Sequence, residues 1–447
     1  MLFCLGDSRN ALAQLIDQPV SPPPTFSELW AFKPLTGMAM DPRLPQFTAD
    51  LNSDGFREVL ITTRTIPGLF PPKSSLVLVN GRDGTEIWKL LSSPNPFIFA
   101  EVSDYNADGA NDILVGNQNE HNPKIIDIKT GLPILSAPTI QPRQSDKIWN
   151  VYVADLTGDG FLDIIFTLIG NGFGAPPFIE VFNGVSLTQI YGLDPNILGT
   201  PPSYIGNPVF ITANGRTRML LTLQHYNYSQ KILSFGATPA ILWSLQYTNG
   251  PTINDYIGTF KKGVTMGLNN QDLLAWNFSG TALERVQGTT GNISDSYDTT
   301  PFTDTCHRIT DVLVDKERPS GSRQYAAVAF KTMSWLCSPE IKFMDPYAPG
   351  GAVRWTKSFY DMAQTVGSNL VGLEDLTGDH LNELAASVSD GGGFWRVAIL
   401  DQRNGHEIAS FPTGQTPLNG LAADKNGTGK QTLLFTDKYE VKLYLQQ

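Results

Sequence analysis

A nine-residue acidic segment recurs four times along the chain at a nearly constant spacing. Its copies read "DLNSDGFRE" from Asp50, "DYNADGAND" from Asp104, "DLTGDGFLD" from Asp155 and "DLTGDHLNE" from Asp375. The first residues are 54, 51 and 220 positions apart, and the last interval divides into four steps of 55. A fixed period of this length is typical of repeat architectures, in which each unit forms one supersecondary element. The period predicts three degenerate copies, near positions 210, 265 and 320.

Degenerate copies are found at those positions. "FITANGRTRMLLTL" has a turn at Asn214-Gly215, "IGTFKKGVTMGL" has a turn at Lys262-Gly263, and a longer turn follows Asp315. One period beyond the fourth acidic segment, "LAADKNGTGKQTLLF" carries Asp424 and further polar residues in phase. The chain therefore contains eight phased turns.

Each turn lies between two short runs rich in β-branched and aromatic residues, which predicts a hairpin. A Gly, Pro or Asn loop and two more apolar runs follow, as in "SSLVLVNGRDGTEIWKL". Four antiparallel strands per fifty residues describe a blade of a β-propeller. We therefore predict an all-β fold in which residues 25–447 form a single β-propeller domain of eight blades. Seven blades remain the alternative if the weak unit around 255–286 is not a full blade.

The two ends of the chain are predicted to close the ring. The last unit stops at "YEVKLYLQQ", a third strand with no fourth strand after it. The N-terminal "SELWAFKPL" is similar to the fourth strand "TEIWKL" of the first unit. Pairing of these two segments would protect sheet edges that are otherwise open.

The overall charge limits the classes of partner. Acidic residues number 43 and basic residues 32, which gives a net charge of −11, and no stretch clusters Lys and Arg. Nucleic acids and anionic membrane surfaces are therefore poor partners. No apolar run approaches the roughly 18 residues that a transmembrane helix requires, so membrane insertion is not expected.

Residues 1–24 are interpreted as an N-terminal segment outside the propeller. The small residues Ala11-Leu12-Ala13 before Gln14 resemble a cleavage site, although a basic region is missing. The segment is read as the remnant of an export signal followed by a linker, and the alternative is a frayed N-terminus. Export would place the protein outside the cell, on its surface or in the periplasm.

Two cysteines in the propeller region are 31 residues apart. If the protein is exported, Cys306 and Cys337 are expected to form a disulfide that stabilises the fold by roughly 3 kcal/mol. The alternative is two buried free thiols.

The acidic segments carry the ligand types of a hard cation. In the first copy Asp50, Asn52 and Asp54 can converge, the carbonyl of Phe56 can point inward, and Glu58 can close the shell. Oxygen-only ligands on a flexible loop favour Ca²⁺. The closing acid stands at position nine between strands, which excludes an EF-hand. The corresponding predicted ligands of the other loops are Asp104, Asn106, Asp108, Ala110 and Asp112; Asp155, Thr157, Asp159, Phe161 and Asp163; and Asp375, Thr377, Asp379, Leu381 and Glu383.

A metal-free interpretation stays open for these loops. Asp and Asn side chains can hold a hairpin turn by bonding the backbone of the same turn, without a cation. In the fourth copy His380 replaces the glycine at which the loop bends. That loop is therefore the weakest of the four predicted sites, and the degenerate loops of the fourth to sixth units are expected to bind no metal.

The four loops, together with the "NGRDGTEIW" turns, resemble the FG-GAP (VCBS-like) repeats of integrin α-subunit propellers and of many secreted bacterial proteins. The resemblance extends over nearly the whole chain at the level of the repeat. It implies a propeller stabilised by about four Ca²⁺ ions. It does not identify a ligand, because such repeats occur in adhesins, lectins and some polysaccharide lyases.

The remaining loops are predicted to carry the ligand site. In a four-stranded blade the acidic loops lie on one face, so the longer connections gather on the opposite face. Flat rings beside polar loops suit glycans or extended peptides, although such rings can also wedge between blades. The candidate ligand-binding residues are Phe70, Phe173, Tyr226, Tyr228, Trp335 and Trp395.

Two functions are compatible with this sequence. The first is a secreted or surface propeller without catalysis that binds a glycan or a protein opposite its calcium loops. The alternative is a calcium-dependent polysaccharide lyase or another carbohydrate-active enzyme on the same scaffold. The five histidines show no metal-ligand spacing, and no G-x-S-x-G motif is present. The turns also resemble those of quinoprotein dehydrogenases, but the recurrent tryptophan is found only at Trp88, Trp243 and Trp355.

Overall fold

The protein is an eight-bladed β-propeller, as the repeat period predicts. The computed structural model describes residues 24–41, 45–66, 73–92, 95, 97–117, 122–135, 140–142, 146–170, 177–193, 202–205, 208–213, 215–225, 230–247, 264–268, 272–276, 283–297, 307–314, 325–332, 338–348, 351–362, 370–378, 381–389, 391–415, 418 and 420–447. Within these ranges, all regular secondary structure is β-strand. The strands form eight antiparallel sheets.

The first half of the chain forms four blades after one strand, β1 (Phe26–Phe32), that belongs to the last blade. Blade 1 contains β2 (Met38–Met40), β3 (Gln46–Phe47), β4 (Val59–Thr65), β5 (Ser74–Val79) and β6 (Glu86–Ser92). Blade 2 contains β7 (Phe97–Glu101), β8 (Ile113–Asn117) and β9 (Lys124–Ile126). Blade 3 contains β10 (Asp146–Ala154), β11 (Asp163–Gly170), β12 (Pro177–Phe182) and β13 (Gln189–Leu193). Blade 4 contains β14 (Pro202–Ile205), β15 (Val209–Ala213), β16 (Arg216–His225), β17 (Gln230–Phe235) and β18 (Trp243–Tyr247).

The second half forms the other four blades. Blade 5 contains β19 (Val264–Leu268), β20 (Asp272–Trp276), β21 (Leu283–Gln287) and β22 (Ile293–Tyr297). Blade 6 contains β23 (His307–Val314), β24 (Ala326–Thr332), β25 (Glu340–Asp345) and β26 (Ala352–Ser358). Blade 7 contains β27 (Asp361–Met362), β28 (Leu370–Gly372), β29 (Glu383–Ser389), β30 (Trp395–Asp401) and β31 (Glu407–Gly414). Blade 8 contains β32 (Gly420–Lys425), β33 (Gln431–Thr436) and β34 (Val441–Gln446), completed by β1.

The first strand of a blade is divided in three of the eight sheets. In blades 1, 4 and 7 two short strands pair with the same second strand, as β2 and β3 do with β4. Blade 2 has a reduced fourth strand, which is represented by a single bridge between Ile126 and Pro133. The backbone bond from Ile134 N to Ile125 O, 2.9 Å long, continues this edge.

Blade 5 is complete, which excludes the seven-bladed alternative. Its four strands β19 to β22 pair in chain order. The predicted turn at Lys262-Gly263 lies outside the described residues, but the hairpin that it implied, with "VTMGL" as the second strand, was wrong. Instead Val264–Leu268 is the first strand and pairs with Asp272–Trp276.

The ring closes between the two ends of the chain, as predicted. Strand β1 pairs with β34 in antiparallel register from Phe26 opposite Gln446 to Phe32 opposite Val441. Beyond the last strand, the Gln447 amide donates to the Thr25 carbonyl at 2.9 Å. Blade 8 is therefore built from both ends of the chain.

The hydrophobic core lies between the blades. First strands of neighbouring blades contact each other, as in the pairs β7 and β10, β19 and β23, and β28 and β32. Between blades 3 and 4, Ile165 and Val181 share one buried cluster with Leu221 and Leu233. Because an inner strand has neighbours on both faces, all six residues of β5, "SSLVLV", are buried.

At seven of the eight blade borders, an aromatic residue of one blade binds a turn of the next blade. Four tryptophan indoles donate to a backbone carbonyl there: Trp30 to Gly81 (2.8 Å), Trp88 to Ile128 (2.6 Å), Trp243 to Gly288 (2.8 Å) and Trp355 to Gln402 (2.8 Å). Three tyrosine hydroxyls do the same: Tyr105 to Gly184, Tyr191 to Gly236 (2.9 Å) and Tyr297 to Pro346 (2.5 Å). The tryptophan pattern in the sequence includes three of these seven residues, Trp88, Trp243 and Trp355. Tyrosine makes the contact at three other borders, so the pattern is incomplete.

The turn that receives a tryptophan carries a glycine against the ring. Gly84, Gly131, Gly291 and Gly405 all have positive φ, between 69° and 74°. A Cβ on any of them would lie 2.6 to 2.9 Å from an indole atom. Blade 3 has Leu187 at this position, with φ of 55°. The preceding blade 2 has the exposed Leu135 instead of a tryptophan in its fourth strand, and Tyr105 packs against the cluster that contains Leu187.

The border between blades 7 and 8 is held by stacked rings. Phe411 of β31 stacks on Tyr444 of β34 with ring centroids 4.7 Å apart, and Phe435 stacks on the same tyrosine at 5.0 Å. Phe26 of β1 lies 5.8 Å from Phe411. Aromatic pairs at such separations each stabilise by about 1 kcal/mol beyond their buried area.

Candidate functional site

The acidic loops lie on one face of the ring, which we call the loop face. Each connects the first and second strands of its blade, and the turns between third and fourth strands lie beside it. Lys129 in such a turn forms a 3.0 Å ion pair with Asp108 of the blade 2 loop. Asn183 likewise donates to Asp159 of the blade 3 loop at 3.2 Å. The connections between second and third strands, and between blades, define the opposite face.

The first acidic loop is held by its own side chains. Asp50 accepts from the amides of Asp54 (Oδ1, 3.2 Å) and Gly55 (Oδ2, 2.9 Å). Asp54 in turn accepts from the Phe56 amide at 2.9 Å. Gly55 has φ of 88°, which glycine adopts more easily than other residues. The bend at position six of the loop therefore requires glycine.

The second and third loops repeat this arrangement. Asp104 accepts from the Gly109 amide at 2.8 Å, and Asp155 accepts from the Gly160 amide at 3.0 Å. Both glycines have positive φ, 86° and 89°. The fourth loop shares a different bond with the third: Asp375 accepts from the position-four amide of Gly378, as Asp155 does from that of Gly158, both at 2.6 Å. The shared hydrogen bonds show that the sequence repeat is a structural repeat.

The closing acid of each loop is buried at the start of the second strand. Glu58, Asp112, Asp163 and Glu383 are at most 1% exposed. Each accepts from the backbone amide at position two of its loop: Leu51 (2.7 Å), Tyr105 (2.6 Å), Leu156 (2.9 Å) and Leu376. Burial raises the pKa of the first three carboxyl groups above their usual values. The fold therefore disfavours their ionised forms unless a positive charge compensates them.

Two of these acids have an oxygen without a hydrogen bond. Glu58 Oε1 and Asp112 Oδ1 are buried and accept from no donor. In the other two loops the corresponding oxygens have partners: Asp163 Oδ1 accepts from the Gly184 amide at 3.0 Å, and Glu383 Oε1 accepts from the Thr377 hydroxyl at 3.3 Å. An unpaired buried carboxylate oxygen is costly, and a cation would satisfy it. The donor set of the first two loops thus fits Ca²⁺.

The loops do not gather their acids around one point. Among the described residues, no three or more His, Cys, Asp or Glu side chains are grouped so that they could hold a metal ion. The bonds from backbone amides to the aspartates of the same loop are those of a metal-free, Asx-rich turn. The calcium sites therefore remain a prediction.

The sheet register aligns the closing position in all eight blades. In blade 1 it is the residue before the second-strand partner of the third-strand residue that precedes the turn: Glu58 precedes Val59, which pairs with Val79 just before the turn residue Asn80. In blade 5 the same position is Asp272, because Val286 precedes the turn residue Gln287 and pairs with Leu273. The corresponding residues of blades 4, 6 and 8 are Arg218, Tyr325 and Thr432. Blade 5 thus retains an acid at the closing position. Sequence analysis missed it because its turn was misplaced.

Blade 4 has an internal cation at the closing position. The Arg218 guanidinium donates to the carbonyls of Gly288 (2.9 Å) and Thr289 (3.0 Å) in blade 5. Burial lowers the pKa of Arg218, although arginine stays charged at neutral pH. In blade 6, Arg354 donates to the Tyr325 hydroxyl and lies 4.2 Å from the centre of its ring. These two blades replace the acid by contacts between protein groups.

The opposite face exposes aromatic side chains around blades 7 and 8. Tyr360, Phe394 and Tyr439 are 72%, 62% and 54% exposed, the highest values among aromatic residues of the described chain. The Tyr360 ring lies against Gly391, where a Cβ would be 3.4 Å from it. The predicted ligand residue Trp395 follows Phe394 and is half-buried at the start of β30. Sequence analysis did not select Tyr360, because it follows a strand rather than lying in a long loop.

Several predicted site residues lie outside the described residues. They are Phe70, Phe173, Tyr226, Tyr228, Trp335, Asp379, Cys306 and Cys337. His380, expected to strain the fourth loop, also lies outside them. The predictions for these positions, including the disulfide, remain predictions.

Comparison with protein families agrees with the repeat. A profile of the FG-GAP-like repeat matches residues 104–166, which include the second and third acidic loops. The chain is thus an eight-bladed β-propeller that carries an FG-GAP-like repeat. No curated protein sequence matches the chain.

Solved structures of other propellers are similar in fold. Saccharomyces cerevisiae Sqt1 superposes with a TM-score of 0.56 at 12% identity, covering 96% of this chain and all of Sqt1. A europium-containing methanol dehydrogenase superposes with a TM-score of 0.54 at 9% identity, covering 94% of this chain and 93% of the enzyme. Chaetomium thermophilum Sqt1 bound to the N-terminus of the ribosomal protein L10 superposes with a TM-score of 0.51 at 10% identity. The match covers 87% of this chain and 93% of that Sqt1 chain. At these identities the similarity shows the fold alone.

Proposed function

We propose that the protein is a calcium-binding propeller that recognises a glycan or protein ligand on the face opposite its acidic loops. The observation that carries this proposal is the exposure of Tyr360, Phe394 and Tyr439 on that face. Exposed rings that are not needed for packing commonly mark binding sites. The proposal assigns metal binding to the loop face and recognition to the opposite face.

The local geometry supports a flat contact surface in blade 7. Gly391, Gly392 and Gly393 all have positive φ, so this turn presents backbone between the two rings. The Phe394 ring is 62% exposed and lies near Gly392, and the Tyr360 ring lies against Gly391. Such a surface can accept a sugar ring or an extended peptide by stacking.

The similarity to Sqt1 is compatible with a peptide ligand. One Sqt1 structure contains the N-terminus of a ribosomal protein, which shows that a propeller of this shape holds a peptide segment. No described helix is long and apolar enough to cross a membrane.

The calcium part of the proposal rests on the two unpaired buried oxygens, Glu58 Oε1 and Asp112 Oδ1. Bound Ca²⁺ would neutralise acids that otherwise repel one another in each loop. The residues that would hold it are the predicted ligands of the four loops. We further propose an extracellular, surface or periplasmic location, where Ca²⁺ is abundant enough for weak loop sites.

A glycan array and a displayed peptide library test the recognition proposal. The double variant Tyr360→Ala, Phe394→Ala should lose the binding that the unchanged protein shows. The matched control is Phe161→Ala, which removes an aromatic ring 45% exposed on the loop face and should bind normally. Equal loss in both variants would contradict the assignment of the face. Release of cleavage products from polysaccharides on the array would favour the carbohydrate-active enzyme instead.

A further inference from the structure

At the opposite face, three strands of blade 7 bring their ends into one short row. Asp361 of β27 pairs with Ser389 of β29, and Ser389 pairs with Trp395 of β30. The two exposed rings of this blade are next to the row in the chain, because Tyr360 precedes Asp361 and Phe394 precedes Trp395. A carboxylate and two exposed rings are therefore neighbours at this end of the sheet.

The glycine turn at residues 391–393 is held at its ends and open at its centre. Ser389 Oγ accepts from the Gly391 amide at 3.1 Å and donates to the Phe394 carbonyl at 2.8 Å. The next two glycines are exposed, and no acceptor in the described part of the chain bonds their amides. The turn therefore offers two backbone donors to a ligand.

The Tyr360 ring lies flat on this turn. Three of its atoms lie 3.4 to 3.5 Å from a Cβ placed on Gly391, so one face of the ring covers the glycine. Because the residue is 72% exposed, the other face of the ring is open. Phe394 touches Gly392 by one edge, at 3.7 and 4.0 Å from such a Cβ. Both rings therefore present flat apolar surfaces beside the two donors.

Asp361 adds an acceptor that no cation neutralises. Its exposed carboxylate accepts from the Met362 amide at 2.8 Å and has no ion pair with any described residue. The nearby cation Arg396 is already paired with Glu407 at 2.6 Å. The site thus has an uncompensated negative charge, in a chain whose net charge is −11.

A neutral sugar complements all of these groups together. A hydroxyl group both donates and accepts, so the hydroxyls of one pyranose can bond Asp361 and the glycine amides while its C–H face stacks on a ring. A lysine or arginine side chain would supply donors for Asp361 but no acceptor for the amides. A uronate would bring a second carboxylate toward Asp361, and like charges repel.

We propose that the ligand of the opposite face is a neutral glycan, bound at blade 7 by stacking on Tyr360 and Phe394 and by hydrogen bonds to Asp361 and the open glycine amides. This inference rests on the proposed function, since it takes the face with the exposed rings as the recognition site. It narrows the ligand from a glycan or protein to a glycan without acidic groups.

Isothermal titration calorimetry with defined oligosaccharides tests the inference. The probes are the neutral hexaoses of glucose, mannose, xylose and galactose, and the acidic hexagalacturonate. At least one neutral hexaose should bind, about 10-fold or more tightly than hexagalacturonate. Asp361→Asn should weaken neutral binding by about 10-fold, because a charged acceptor is lost, and should reduce the preference over hexagalacturonate. Tyr360→Ala should abolish binding, whereas Tyr360→Phe keeps the ring and should bind normally.

The matched control is Asp83→Asn, which removes the charge of an exposed acid on the loop face. It should change neither the affinity nor the preference for neutral probes. Neutral binding that is unaffected by Asp361→Asn and Tyr360→Ala would overturn the site, and equal binding of hexagalacturonate would overturn the neutral class. If instead a library peptide binds, is lost in the Tyr360→Ala, Phe394→Ala variant, and no neutral hexaose binds, this inference fails and the proposed function stands. If neither glycans nor peptides bind the unmodified protein, both fail.

Discussion

The indole ring of Trp88 in blade 1 lies directly on Gly131 in blade 2. A Cβ on Gly131 would be 2.9 Å from the ring, and the indole nitrogen donates to Ile128 in the same turn at 2.6 Å. Position 131 therefore requires glycine for two reasons: its φ is 69°, and the Trp88 ring fills the space that a Cβ would occupy. The same relationship recurs at three more borders, so four of the eight borders share one repeated contact.

Gly131→Ala should destabilise the protein more than its backbone conformation alone explains. The matched control is Gly215→Ala, because Gly215 has a similar φ of 70° but no atom within 4 Å of the added Cβ. The control substitution should lower the free energy of unfolding by about 1 kcal/mol, because alanine is strained at a positive φ. Gly131→Ala should lower the free energy of unfolding by about 1 to 3 kcal/mol more than the control does, because the Trp88 ring must shift. Urea unfolding measures both, and equal losses would show that the ring contact does not matter.

The sequence predicted those parts of the fold in which residue type is fixed by backbone geometry. The acidic loops recur because the Asp50 carboxylate accepts from the Gly55 amide and Gly55 has a φ of 88°, which glycine adopts more easily than other residues. Ring closure was predictable because β1 retains the "ELW" motif of a fourth strand, similar to "EIW" at Trp88. In both cases the local structure selects a recognisable motif.

Features that depend on contacts between blades were not predictable in the same way. Tyr105 was assigned only to an acidic loop, although its hydroxyl takes the role of a tryptophan at the border. Arg218 lies at the closing position, but nothing in its own blade indicates that its partners are Gly288 and Thr289, 70 and 71 residues away. The turn of blade 5 was misplaced because that hairpin has no acidic loop to mark it. These roles follow from packing between units, which a repeat pattern within one unit does not record.

Arg218→Met should destabilise the border of blades 4 and 5 to the same extent with and without calcium. The variant keeps the apolar stem but loses two hydrogen bonds from a charged donor, so a loss of about 1 to 3 kcal/mol is expected. Arg218→Lys should recover part of it, since both bonds come from the single nitrogen Nη1 and an ammonium nitrogen on a shorter side chain can make one of them. Urea midpoints in calcium and in chelator provide the measurement. A loss confined to the calcium samples would contradict the role of Arg218 as a metal-independent substitute.

Asp159→Ala should remove one bound calcium ion while the fold persists. Asp159 is a predicted ligand, and its pKa is lowered mainly by the bond from the Phe161 amide. The matched control is Asp83→Ala, because Asp83 is also exposed and its pKa is likewise lowered by hydrogen bonds, from the Thr85 hydroxyl and then the Thr85 amide, but it lies in a turn without a predicted ion. Native mass spectrometry should count one ion fewer for Asp159→Ala only. An unchanged count would refute the assignment of that loop, and coincident thermal melts of the unmodified protein in calcium and in chelator would refute all four.

Glu58→Gln should change the sign of its effect on stability between chelator and calcium. Burial first, and then the charges of Asp50 and Asp54, raise the pKa of Glu58 above its usual value of 4.5. A carboxyl group whose pKa is raised in the folded state destabilises the fold when ionised, so this penalty is present at pH 7 and disappears as the pH falls through the raised pKa toward 4.5. In chelator at pH 7 the glutamine variant should therefore melt above the unmodified protein, and the difference should shrink toward pH 5.

In calcium at pH 7 the order should reverse, because the ionised Glu58 then binds the cation through the oxygen that otherwise lacks a partner. Differential scanning calorimetry of both proteins at pH 5, 6 and 7, with and without calcium, gives the six comparisons. Leu51→Ala serves as a control, because it keeps the amide that bonds Glu58 and should show no dependence of its effect on pH. If Glu58→Gln melts higher than the unmodified protein in calcium as well as in chelator, the first loop is a metal-free turn and its buried acid is a source of instability.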